Sequence, residues 1–132
     1  MKIDSGGYGY SGELAMPFDE AMARTTAVLA KYGFGVQSEI KISEALKAKL
    51  GVDLPREVIL GVCNPKLAHE AIQVEPDITL LLPCNITLKE SGSGTRVAAA
   101  NPGQLVGMAG NPELKSVASE ADEQIRAALQ EL

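Results

Sequence analysis

Tryptophan is absent from this chain, and its 132 residues hold only three tyrosines, two phenylalanines and one histidine. So few aromatics leave no strip on which nucleobases could stack. Lysine and arginine are nowhere clustered, and a net charge of −5 repels phosphates, so no nucleic-acid partner is expected. No apolar run approaches the roughly 20 residues that span a bilayer, so no membrane partner is expected either. The opening Met1–Gly7 lacks the apolar core of a secretory signal, which makes the cytoplasm the expected compartment. Only two cysteines occur, and in a reducing compartment they are thiols rather than a bridge. No repeat or linker divides the chain. Residues 1–132 therefore read as a single domain, long enough to bury about two-thirds of its unfolded surface without disulfides.

What is present is a regular alternation of local patterns. Tyr8, Tyr10 and Leu14 alternate along a glycine-softened strand. Pro17 opens a helix, Asp19 and Glu20 suit its positive end, and Phe18, Ala21, Met22, Thr25, Val28, Leu29 and Tyr32 form its buried stripe, ended by Gly33. Phe34, Val36, Ile40 and Ile42 alternate with polar residues as in a half-exposed strand. Ser43 is placed to cap a short helix bearing Leu46 and Leu50, with Gly51 at its end. Val58–Val62 is an apolar strand. Asn64-Pro65 starts a short helix that Glu75-Pro76-Asp77 stops. The next strand is expected from Ile78 to Lys89, with Pro83 marking an edge or bulge. Ser91–Gly94 turns that strand into a hairpin with Thr95–Ala100. Gly107 and Gly110 argue against a long helix in the connection that follows, and Asn111-Pro112 caps a last helix with a continuous stripe from Leu114 to Leu132. The expected fold class is α+β: a largely antiparallel sheet of about five strands packed on two long helices, with short helices in the connections.

Chemistry concentrates between Val58 and Asn85, where both cysteines and the single histidine lie. Cys63 precedes the cap Asn64, a position where a positive helix end lowers a thiol's pKa. Cys84 shares strand parity with Leu82 and Ile86, which makes it a wall of the core. His69, at the border of the helix's apolar stripe, is a candidate base for Cys63. Asn64 and Asn85 offer amides to a ligand, although capping alone explains Asn64. A metal set of Cys63, His69 and Cys84, with Glu70 or Asp77, lacks the tight local spacing of zinc ligands, so no metal is expected. Gly6–Gly9 and Ser91–Gly94 lack the lysine and spacing of phosphate loops and read as turns. No motif specifies a cofactor.

The segments Lys31–Val36, Ile59–Pro65, Leu67–His69 and Leu81–Asn85 resemble, in order and spacing, the domain of unknown function 302 family. Its pattern is a Gly-Phe strand, then Leu-Gly-(Ala/Val)-Cys-Asn-Pro, Ala-His and Leu-Leu-Pro-Cys-Asn. The resemblance covers nearly the whole chain. It implies a bacterial or archaeal protein with a fold like that of the TATA-box-binding-protein class, a homodimer, and no settled activity. The fold label implies nothing about DNA binding.

Three functions follow as expectations. The first is a module that binds a small or anionic ligand, or senses redox state through a thiol, at the Cys63-Asn64-Pro65 corner. The second is a structural, dimerising domain. The third is a thiol- or sulfur-transfer enzyme using Cys63 and His69.

Overall fold

The computed structural model describes residues 1–132. Six strands form one sheet: β1 (Asp4–Ser5), β2 (Gly9–Leu14), β3 (Gly35–Ile40), β4 (Glu57–Cys63), β5 (Cys84–Ser91) and β6 (Gly94–Ala100). Five α-helices connect or cover them: α1 (Phe18–Lys31), α2 (Ile42–Leu50), α3 (Pro65–Val74), α4 (Pro102–Gly107) and α5 (Lys115–Glu131). Two 3-10 turns, Pro76–Leu81 and Pro112–Leu114, complete the chain. The sheet order is β1-β2-β6-β5-β4-β3 and every pairing is antiparallel. This is the expected α+β class, with the two-residue β1 as a sixth strand too short to show a sequence period. No helix is long and apolar enough to cross a membrane.

The long helices arise as their stripes dictate. Phe18, Ala21, Thr25, Val28 and Leu29 of α1, and Ala118, Ala121, Ile125, Ala128 and Leu129 of α5, are buried. Phe18, Ala21, Val28, Leu29, Ile125, Ala128 and Leu129 among them pack with Leu14, Val58, Leu60, Val62, Ile86, Leu88 and Val97 on one side of the sheet. Gly33 takes a φ of +89° just past α1 and Gly51 one of +69° just past α2, the left-handed conformation that lets a chain leave a helix without a Cβ clash. A second, smaller apolar cluster of Ala71, Ile78, Val106, Leu114 and Ala118 sits beyond the sheet's end, where α3, α4 and α5 meet.

Several local expectations are corrected. The expected strand from Ile78 is a 3-10 turn as far as Leu81, and the ladder begins at Cys84. The alternation there is misleading: Ile78 is buried in the second cluster, but Leu80 is 86% exposed. Pro83 precedes the first rung of β5, a central strand in which it could not donate a ladder hydrogen bond. Ser43 does not cap α2, which starts at Ile42. Its hydroxyl accepts from the Glu57 N–H at 3.0 Å and donates to the Glu57 carbonyl at 3.3 Å, tying α2 to β4. Leu50 is left exposed. The strand β3 is exposed along its whole length, because it lies at the sheet edge. A bulge between Val36 and Ser38 also reverses its alternation. Tyr8 stands outside β2 and is exposed. The last helix is preceded by the turn Pro112–Leu114 before α5 proper begins.

Candidate functional site

The Cys63 corner is built by its cap. The Asn64 side-chain oxygen accepts from the Leu67 N–H at 3.2 Å, and its amide donates to Gln124 of α5, also at 3.2 Å. Pro65 occupies the first helical position, where a missing N–H costs nothing. A Cβ on Gly33 would lie 2.8 Å from the Asn64 amide nitrogen, so the end of α1 and the start of α3 meet at Asn64. This amide is spent on structure from both ends.

Cys63 and Cys84 are both free thiols. They line a small apolar cavity of about 40 Å³, with Phe34 and Val62 on one side and Ala71, Ile78 and Val106 on the other. It fills the seam between the two apolar clusters. Such a space is large enough for a water, but its lining offers no polar surface to hold one, which favours a dry cavity. Burial pushes the Cys63 thiol up, the opposite of the expected depression. Cys84, buried as expected, is pushed up to about 11 by burial and by the neighbouring Cys63 charge. Both therefore stay protonated at neutral pH, the weak form of a nucleophile.

This gives a pH prediction. The unfolded chain gives up the Cys84 proton near pH 9.0, whereas the folded chain holds it to about 11. The stability tied to that proton is complete below pH 9 and falls by about 2–3 kcal/mol as pH rises through 11. Denaturant melts from pH 8 to 11 should show the decline in the wild type and a flatter curve in Cys84→Ala. Equal slopes would contradict it. At pH 7.5 iodoacetamide should label Cys63 before Cys84, and both more slowly than a free thiol.

His69 is exposed and makes no hydrogen bond. At 100° per residue it stands about 200° around α3 from Leu67, which faces the core with Ala71. The border position expected of it is therefore wrong: the imidazole is on the solvent side and does not line the cavity that holds the cysteines. No three His, Cys, Asp or Glu side chains are gathered as a metal cluster would need.

Asn85 departs from the corner altogether. It follows Cys84 on β5, so its side chain takes the other face of the sheet, and it is exposed there. That face has no helix over it. One cross-strand row runs Ile59, Thr87, Ala98, Ser11, and beside it Gly61 pairs with Asn85 and Ala100 with Gly9. The small side chains of Gly9, Ser11, Ala98 and Ala100 floor an open groove of about 560 Å³, walled by the Gly6–Gly9 turn and by Arg96. The Arg96 guanidinium donates to the Ser11 hydroxyl at 2.8 Å and to Glu13 at 3.4 Å. The five candidate residues are thus not one site. Cys63, Asn64 and Cys84 share the corner, while His69 and Asn85 lie elsewhere. The sequence signal for the groove is the run of small residues on the parity opposite to the core at one end of two neighbouring strands, Gly9 and Ser11 of β2 and Ala98 and Ala100 of β6.

Fold and motif together define a small α+β domain with one antiparallel sheet covered on a single face. Residues 10–132 match the family described as domain of unknown function DUF302, and the chain belongs to that family. It is similar to the crystal structure of an uncharacterized conserved DUF302 protein from Bacillus stearothermophilus, with a TM-score of 0.86 and 28% identity over 95% of this chain and 98% of that one. No curated protein matches it.

Proposed function

We propose that the protein is a small-molecule-binding module and that its ligand lies on the open sheet face, over β2, β6 and β5, rather than at the Cys63 corner. The observation that carries this is the groove of about 560 Å³, within the range of small-ligand sites. Gly9, Ser11, Ala98 and Ala100 give it a flat floor on which an apolar ring can lie. Asn85 and Thr87 supply donors and acceptors along one side, and Arg96 supplies positive charge for an anionic substituent. Charge complementarity at Arg96 is softened by Glu13, which favours a polar ligand of low net charge. The thiol-sensing version has less support, since burial keeps both thiols protonated. The thiol-transfer version lacks its base, because His69 faces solvent.

Amide chemical-shift mapping with a library of small polar aromatic compounds tests the assignment. Shifts are expected at Asn85, Thr87 and Ala98. Ala98→Trp, which fills the groove from its floor, should weaken binding at least tenfold, whereas Cys63→Ser should leave it unchanged. Shifts confined to residues 63–71, or none in the groove across the library, would sink the proposal.

A further inference from the structure

We propose that the cleft between α4 and α5 is a second ligand site, and that it takes a hydroxylated carboxylate of monosaccharide size, such as an aldonate or a uronate. The cleft is about 300 Å³, at the lower end of small-ligand sites, and shares no lining residue with the open-face groove. Two glycines make the room. Gly103 and Gly107 stand four apart on one side of α4 and both line the cleft. Glycine weakens a helix, yet neither residue has the positive φ that would call for one. Packing does not call for it at Gly107 either, because a Cβ there would meet nothing within 4 Å. The helix thus gives up stability for space that a larger side chain could occupy.

The facing wall is a polar stripe. Lys115, Ser119 and Asp122 follow one another at helical spacing along one side of α5, and all three line the cleft. Asp122 is held in place: the Tyr10 hydroxyl donates to one carboxylate oxygen, and the Arg126 guanidinium stands 3.7 Å from the other. Its charge is answered from within the chain, and its remaining lone pairs are left to accept from ligand hydroxyls. Lys115 has no ion-pair partner, so it is the uncompensated charge of the cleft and selects a carboxylate. From α4, Gln104 offers a donor and an acceptor. The Asn101 oxygen accepts from the Gln104 N–H at 3.1 Å, which leaves its amide nitrogen to donate. No aromatic ring lines the cleft, so a planar ligand has nothing to stack on, whereas mixed donors and acceptors match a run of hydroxyls.

The site is independent of the groove ligand, and amide chemical-shift titration of the full chain tests it. Gluconate, glucuronate, glucose and acetate are each added up to millimolar concentration. Gluconate or glucuronate should shift Gln104, Gly107 and Ser119 and leave Asn85, Thr87 and Ala98 in place. Glucose and acetate, each lacking one of the two features, should bind about tenfold more weakly or worse. Gly107→Leu, which fills the cleft, should weaken binding by about tenfold or more. Its Tm should hold or rise, since leucine is the better helix former, so lost binding is not lost folding. Lys115→Gln, a change at an exposed side chain, should bring the acids down to the level of glucose. Absence of shifts at these amides with both acids overturns the proposal, as do shifts confined to the groove. So does a folded Gly107→Leu that binds as the wild type does. A Lys115→Gln variant that still prefers the acids overturns the carboxylate assignment.

Discussion

Replacing Ile86 with alanine is expected to lower the unfolding free energy by about 2–5 kcal/mol, a large share of the roughly 5–15 kcal/mol that holds a domain of this kind together. Ile86 has no exposed surface. It sits on β5, opposite Leu60 on β4 and Ala99 on β6. Its side chain lies in the main apolar cluster with Val62, Leu88 and Ile125. Truncation removes three carbons from water-free surroundings and leaves a cavity. The backbone on both sides is fixed by ladder hydrogen bonds, so the sheet cannot close over the space, which places the effect toward the upper part of the range. Urea unfolding followed by circular dichroism reads it directly as a shift in midpoint at unchanged slope. A loss below about 1 kcal/mol would mean that this part of the core relaxes, contrary to its close packing.

Gly61→Val should destabilise the protein by about 3 kcal/mol, although strand propensity alone predicts the opposite sign. Gly61 lies within β4 and its missing Cβ points to the open face, opposite in parity to Leu60 and Val62. An added Cβ would lie 2.8 Å from the Pro83 ring and closer still to the Ser38 hydroxyl. The proline ring belongs to the entry of β5 and the serine to β3, so both neighbours would have to move, and a branched side chain doubles the intrusion. Thermal unfolding would show it as a fall in Tm, with Gly61→Ala giving a smaller fall. A Tm that rises in Gly61→Val would mean that propensity outweighs the close approach. The glycine in Leu60-Gly61-Val62-Cys63-Asn64-Pro65 is thus explained by packing against the proline of Leu81-Leu82-Pro83-Cys84-Asn85, which joins two of the recurring segments without any ligand.

That join shows what was legible and what was not. The cap at Asn64, the stop at Pro76 and the hairpin at Gly92 are local chemistry, and each occurs where its residues are placed. The run from Ile78 to Leu82 was misleading because a short apolar stretch fits a strand and a turn of helix equally well. Tertiary packing of Ile78 against Leu114 and Val106 decides between them. Nearness in sequence does not bring the candidate residues together: strand parity sends Cys84 and Asn85 to opposite faces and helix phase sends His69 to solvent.

By itself, the sequence determined the fold class, the two covering helices, the Asn64 cap and the family, because each depends on spacing along a few turns or rungs. Only the tertiary structure decided that β3 is an edge, that one sheet face is bare, that the two thiols share a dry seam, and that their pKa values rise. Those properties depend on which distant segments pair and how much water they exclude, and neither is encoded in the local spacing of residues.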